Sequence, residues 1–155
     1  MRRPVLWSLV LATALPLVAA GPALAGGPVI ERGRFQDTFF DEFIFDLCGI
    51  VTETTQTQRW TAKVFPDGSE TVQVVRSFVS VDPRLPVEKA AGTTFTAPDG
   101  SRRVVGKPIQ LIGPGGGVTL IDAGWIAFDA EGEVSDQRGP HPSIDADLAE
   151  FYCPS

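Results

Sequence analysis

The sequence predicts an all-β protein: an antiparallel up-and-down meander that closes into a barrel or a strongly curled sheet and ends in a short helical turn. Three observations predict it. Turn signals recur at steps of about 15–17 residues: FPDGS near 67, DPRLP near 83, APDGS near 99, GPGGG near 115 and AEGE near 131. The segments between them are rich in Val, Ile, Thr and aromatics, which favour extended chain. Before residue 140, no segment carries a helical period of apolar residues.

The amino-terminal stretch reads as a secretory leader. Arg2 and Arg3 precede an apolar run from Val5 to Ala20, and Ala23-Leu24-Ala25 supplies the small-residue cleavage pattern. The run is short and interrupted by Pro16, so it is not expected to remain as a membrane anchor. No Ser or Thr precedes the arginine pair and no Lys follows it, which favours the general export route over the twin-arginine one. Cleavage after Ala25 leaves residues 26–155 as a single β domain, with 11 basic against 19 acidic residues and a net charge of −8. A surface of that net sign is expected to repel nucleic acid and anionic lipid.

RFQDTFF and FIFDLCGI read as a first strand and a short connecting piece. From Ile50 a long strand follows, in which TETTQTQRW offers no apolar face. Split by parity, one side carries Ile50, Thr52, Thr54, Gln56, Gln58, Trp60, Ala62 and Val64, without a charge. The other side carries Glu53, Arg59 and Lys63. The uncharged side is therefore expected to face inward although its middle is polar. TVQVVRSFVSV, TTFTA, RRVVGKPIQLI and VTLIDAGWIAF supply further strands. In the last of these Asp122 shares a face with Leu120 and Ile126, and a carboxylate so placed must be paired, solvated or protonated. In the tail, Ser143 is expected to cap a short helix with Asp145 and Asp147 in its first turn.

Two readings of the polar inner face are open. The Thr and Gln groups bond to one another and to trapped water, or they line a pocket for a small apolar or amphipathic ligand. In the second case Thr54, Gln56, Gln58, Trp60 and Asp122 form the binding site.

Cys48 and Cys153 are the only cysteines, and export to an oxidising compartment predicts a disulfide between them. The chain has no asparagine and hence no N-glycosylation acceptor, a bias that also fits a GC-rich genome. One histidine, His141, lies in GPHPS and is expected to face solvent. No metal site, cofactor or catalytic motif is expected. IGPGGGV lacks the Lys of a phosphate loop, and the glycine of DAEGEVSD is misplaced for a calcium loop.

Together, DLCGIV, FPDGSE, AGTTFT, DAGWIAFDAEGEV and FYCPS resemble uncharacterised secreted β proteins of actinobacteria with an early Cys-Gly, Asp-Gly hairpins and a Cys near the terminus. The segment RLPVEKA departs from that pattern, which more often has an Asn-Pro turn there. The resemblance implies export and a β fold; it carries no activity and no catalytic residue. The expected function is an exported, non-enzymatic binding protein. The alternatives are a cofactor-free cyclase or isomerase using the barrel interior, or an interaction module of the cell envelope.

Overall fold

The computed structural model describes residues 26–154. The expected leader and its cleavage point at Ala25 lie outside them. Seven strands form one antiparallel sheet in chain order: β1 (Val29–Phe40), β2 (Glu53–Val64), β3 (Glu70–Ser80), β4 (Val87–Thr96), β5 (Arg102–Ile112), β6 (Val118–Phe128) and β7 (Val134–Arg138). Three short helices accompany them: α1 (Glu42–Cys48), α2 (Pro142–Asp145) and α3 (Ala149–Tyr152). Each strand bonds only to its neighbours in sequence, so hydrogen bonding does not close the sheet into a barrel. The reason lies in β7: it is five residues long and pairs only with β6, after which the chain turns into α2.

Four of the five anticipated turns share one design. In the loops at 65–69, 97–101, 113–117 and 129–133, the first residue's N–H bonds to the carbonyl of the fifth, at 2.8 to 3.0 Å. The fourth residue is a glycine with φ between 83° and 91°. Only glycine adopts that conformation without a Cβ penalty, which is why Gly recurs at this position. Asp67 and Asp99 add a second tie, each accepting from the N–H and the hydroxyl of the Ser two residues on. Those bonds hold both carboxyls below the usual carboxylate range.

Three sequence expectations need correction. FIFDLC is not extended: it forms α1, because Asp41 caps it by accepting from the Ile44 N–H at 3.0 Å and Gly49 ends it in the left-handed region. Seven residues are too few to display a helical period, so only the caps mark this element. The segment VSDQR adds a strand, β7, and β4 extends TTFTA back to Val87. In the tail, Ser143 lies inside α2 rather than capping it; its N–H and hydroxyl go to Asp122.

The register assigns every strand residue to one of two faces. The inner face carries Thr54, Gln56, Gln58, Trp60 and Ala62 of β2, as the parity of the sequence implied: Thr54, Gln58 and Ala62 are buried and Arg59 and Lys63 exposed. Leu111 and Leu120, opposite each other on β5 and β6, join Ile44, Leu85 and Tyr152 in the main apolar core. This core sits at one end of the inner face, under the helices. The Cys48–Cys153 disulfide, with Cα atoms 5.4 Å apart, ties α1 to the residue after α3.

A line of glycines crosses the inner face farther along. Gly92, Gly106 and Gly124 are direct cross-strand partners on β4, β5 and β6. At Gly106 φ is 133°, and a Cβ there would stand 2.5 Å from the Ala91 carbonyl oxygen. Backbones approach along this seam more closely than any side chain permits, and register shifts flank it in β4–β5 and β5–β6.

Candidate ligand-binding face

The polar strand face of β2 divides into two parts with different duties. At the end near the helices, the Thr54 hydroxyl donates to Asp41 at 2.6 Å, so one carboxylate both caps α1 and fixes it to β2. The Thr52 and Ser80 hydroxyls bond at 2.6 Å. Both threonines are buried and their hydroxyls are engaged within the protein.

Gln56 and Gln58 differ. The Gln56 amide nitrogen donates to the Gln58 amide oxygen at 3.3 Å, and apart from each other neither side chain has a protein partner among the described residues. Their neighbours on the same face are set by register. Asp37 and Phe78 flank Gln56, Phe35 and Arg76 flank Gln58, and Trp60 follows along the strand. The Trp60 indole lies over Gly33, which leaves it room by having no side chain. Two hydrogen-bonding amides therefore sit among three aromatic rings, with the Arg76 guanidinium over the Phe78 ring at 5.5 Å.

Asp122 lies four strands away on β6. It is 1 % exposed, and its two oxygens accept from the N–H and the hydroxyl of Ser143. The buried carboxylate is the anchor that docks α2 on the sheet, so it stands apart from Thr54, Gln56, Gln58 and Trp60. His141, next to it in the tail, is buried rather than solvent-facing. Its Nε2 is 3.2 Å from the carbonyls of Trp125 and Arg138, which draw the ring onto the β6–β7 ladder.

A further carboxylate escaped the sequence reading. Glu88, opposite Phe78 on β4, accepts from the Tyr152 hydroxyl at 2.6 Å. Burial raises its pKa; the Tyr152 bond and the nearby Arg76 charge oppose that, and Asp41 adds to it. Burial, then the Glu88 charge, pushes the Tyr152 phenol up as well. The pair is 64 residues apart in sequence, and neither residue lies in a motif that could have paired them.

Among the described residues no group of His, Cys, Asp and Glu side chains is placed to hold a metal ion, and no helix is long and apolar enough to cross a membrane. Comparison with protein-family models, with curated proteins and with solved structures finds no match.

Proposed function

We propose that the chain is an exported, non-enzymatic binding protein whose inner sheet face receives a small amphipathic molecule at Gln56, Gln58 and Trp60. One observation carries this reading: two amides with no partner but each other are surrounded by Phe35, Trp60 and Phe78, beyond the part of the face that the helices cover. A ligand with an apolar body and one or two polar groups would satisfy both sets. Thr54 and Asp122 border the site and shape it through Asp41 and Ser143 rather than by contact.

A strongly curled sheet belongs to the same proposal. Ala62 and Ile126 are 3 % and 8 % exposed although they lie outside the helix-covered core, and the glycine seam is the device that bends sheets. Curling about that seam would turn the inner face into a trough open at the hairpin end. Export draws support from the disulfide and from the leader pattern; amino-terminal sequencing of secreted protein should then begin at Gly26.

The test of the ligand site uses an uncharged dye, N-phenyl-1-naphthylamine, so that surface charge does not enter. Wild-type protein should enhance its fluorescence. Gln56→Leu should alter the affinity and leave the urea midpoint nearly unchanged. No dye binding, together with strong destabilisation of the variant, would show a closed polar network instead. A second reading, an isomerase-type enzyme, rests on Glu88 and Tyr152: a carboxyl with a raised pKa beside a phenol is a general acid–base pair in outline.

A further inference from the structure

The net charge is an average, and the register resolves it into faces. On the outer face β1 and β2 present Arg32, Arg34, Arg59 and Lys63, all exposed. Lys89 on β4 and Arg103 and Lys107 on β5 share that face and are also exposed, as is Arg138 at the far edge. Its only acids are Glu53, at the start of β2, and Asp136, on β7. Among the described residues the one ion pair is Arg84–Asp82, in the β3–β4 connection, so none of these cations is neutralised by a carboxylate partner.

The cations are also organised. Arg34, Arg59, Val75, Ala91 and Lys107 form one continuous cross-strand row from β1 to β5. Two hollows lie along it, one of 330 Å³ walled by Arg59, Lys89 and Lys107 over a floor of Val75, Ser77 and Ala91. The other, of 380 Å³, is walled by Arg32, Arg34 and Arg59, so the two share Arg59. Four strand spacings make this path about 19 Å long, at right angles to the strands. Arg32 and Arg34 serve a second purpose, keeping the β1 edge from pairing with another sheet. That purpose does not extend to Arg59, Lys89 or Lys107, which stand on interior strands. Placing Arg34 directly opposite Arg59 works against the sheet, and a face built for solubility alone would mix its signs.

We propose that this outer face binds a linear anionic glycan, a hydroxyl-rich chain bearing carboxylate, sulfate or phosphate groups, laid across the strands along the Arg34–Arg59–Lys107 row. The floor favours a glycan over the other anionic partners. It offers the hydroxyl of Ser77 and, at the rim, those of Thr57 and the amide of Gln110, which match sugar hydroxyls. It offers no aromatic ring on which a base could stack; Phe95 and Trp125 stand in other rows, and Arg103 covers the Trp125 ring at 4.9 Å. The apolar groups Val75 and Ala91 lie within the hollow, whereas a membrane-binding face needs an apolar surface that inserts past its cations.

The experiment is a binding titration of the mature protein with dextran sulfate and polygalacturonate, with neutral dextran as control. Oligodeoxythymidine and phosphatidylglycerol vesicles represent the other occupants. At least one of the two anionic polymers should bind at low ionic strength despite the protein's acidic pI, and the affinity should fall as salt is added. The pair R59E/K107E should weaken binding at least about tenfold and flatten its salt dependence. R59Q/K107Q should fall between it and wild type, and it carries the test if the glutamate pair does not fold by circular dichroism. R84E, outside the face, should bind as wild type does. Absence of binding to both polymers, stronger binding to vesicles or oligonucleotide, or an equal loss in R84E would each overturn the proposal. The uncharged-dye readout at Gln56 is independent of all these variants, so failure here and failure of the inner-face site are separable.

Discussion

Asp122 and Glu88 show how a buried carboxylate acquires its role from what it meets. Asp122 meets the N–H and the hydroxyl of Ser143 in a site closed to solvent. Asp122→Ala should cost about 1–3 kcal/mol for each group left unpaired, read as a lower urea midpoint, with Ser143→Ala costing less because its N–H keeps the carboxylate. Glu88 titrates with the opposite sign to most native acids. Its raised pKa means that the folded protein holds a proton over a range where the unfolded chain has released it. That contribution is complete below the ordinary carboxylate range and is lost as pH rises through the folded pKa. The exposed Asp82 behaves in the reverse way: bonds from the Arg84 side chain and N–H hold it at about 2, so its contribution is present at neutral pH and lost in strong acid. Glu88→Gln keeps an acceptor for Tyr152 and removes the ionisation. Its stability relative to wild type should therefore grow between about pH 4 and pH 7. A constant difference across that range would show that Glu88 does not titrate there.

At the scale of elements, the glycine seam and the disulfide carry the strongest expectations. Gly106→Ala places a Cβ against the Ala91 carbonyl at a backbone conformation that L residues rarely adopt. A loss of about 1–3 kcal/mol or more should follow by chemical denaturation. Gly117→Ala is the control, since its Cβ would meet nothing within 4 Å at an ordinary φ; it should stay within about 0.5 kcal/mol of wild type. The disulfide joins residues 105 apart and anchors the two helical pieces that cover the core. The chain-entropy account puts its contribution at about 4–5 kcal/mol, an upper figure where strain intervenes. Cys48→Ser should thus lower the melting temperature by about 10 °C or more. Peptide mapping without reductant should recover the linked pair from wild-type protein.

For the whole molecule, the sheet separates two chemistries that the chain alternates residue by residue. The inner side holds the helices, the core and the Gln56–Gln58 pair, and the outer side holds the cation row. Because a strand alternates its faces with period two, Gln58 and Arg59 are sequence neighbours that serve opposite surfaces. The excess of acid is displaced to turns and helices, where Asp67, Asp99 and Asp129 fix loops and Asp41 caps α1. A protein with a pI near 4.7 therefore presents a cationic plane. Separation by overall charge would miss this property, whereas a salt-dependent polymer titration would reveal it.

What the sequence by itself determined is whatever depends on neighbours along the chain. The meander, the Asp-Gly turns, the strands from Arg102 to Ile112 and Val118 to Phe128, and the inward parity of Gln56 and Gln58 all follow from local turn chemistry and alternation. The cysteine pairing was legible because only two cysteines were present. Helix α1 was hidden because FIF has strand composition and only its caps, Asp41 and Gly49, are helical signals. Tertiary structure alone decided that Asp122 faces Ser143, that Glu88 meets Tyr152 and that His141 is buried. It also decided that Arg59, Val75, Ala91 and Lys107 stand in one line. Each of those depends on cross-strand register or on where the tail docks, and register is fixed by the packing of several strands at once. No single segment of sequence contains that information, because the partners that set it lie tens of residues apart.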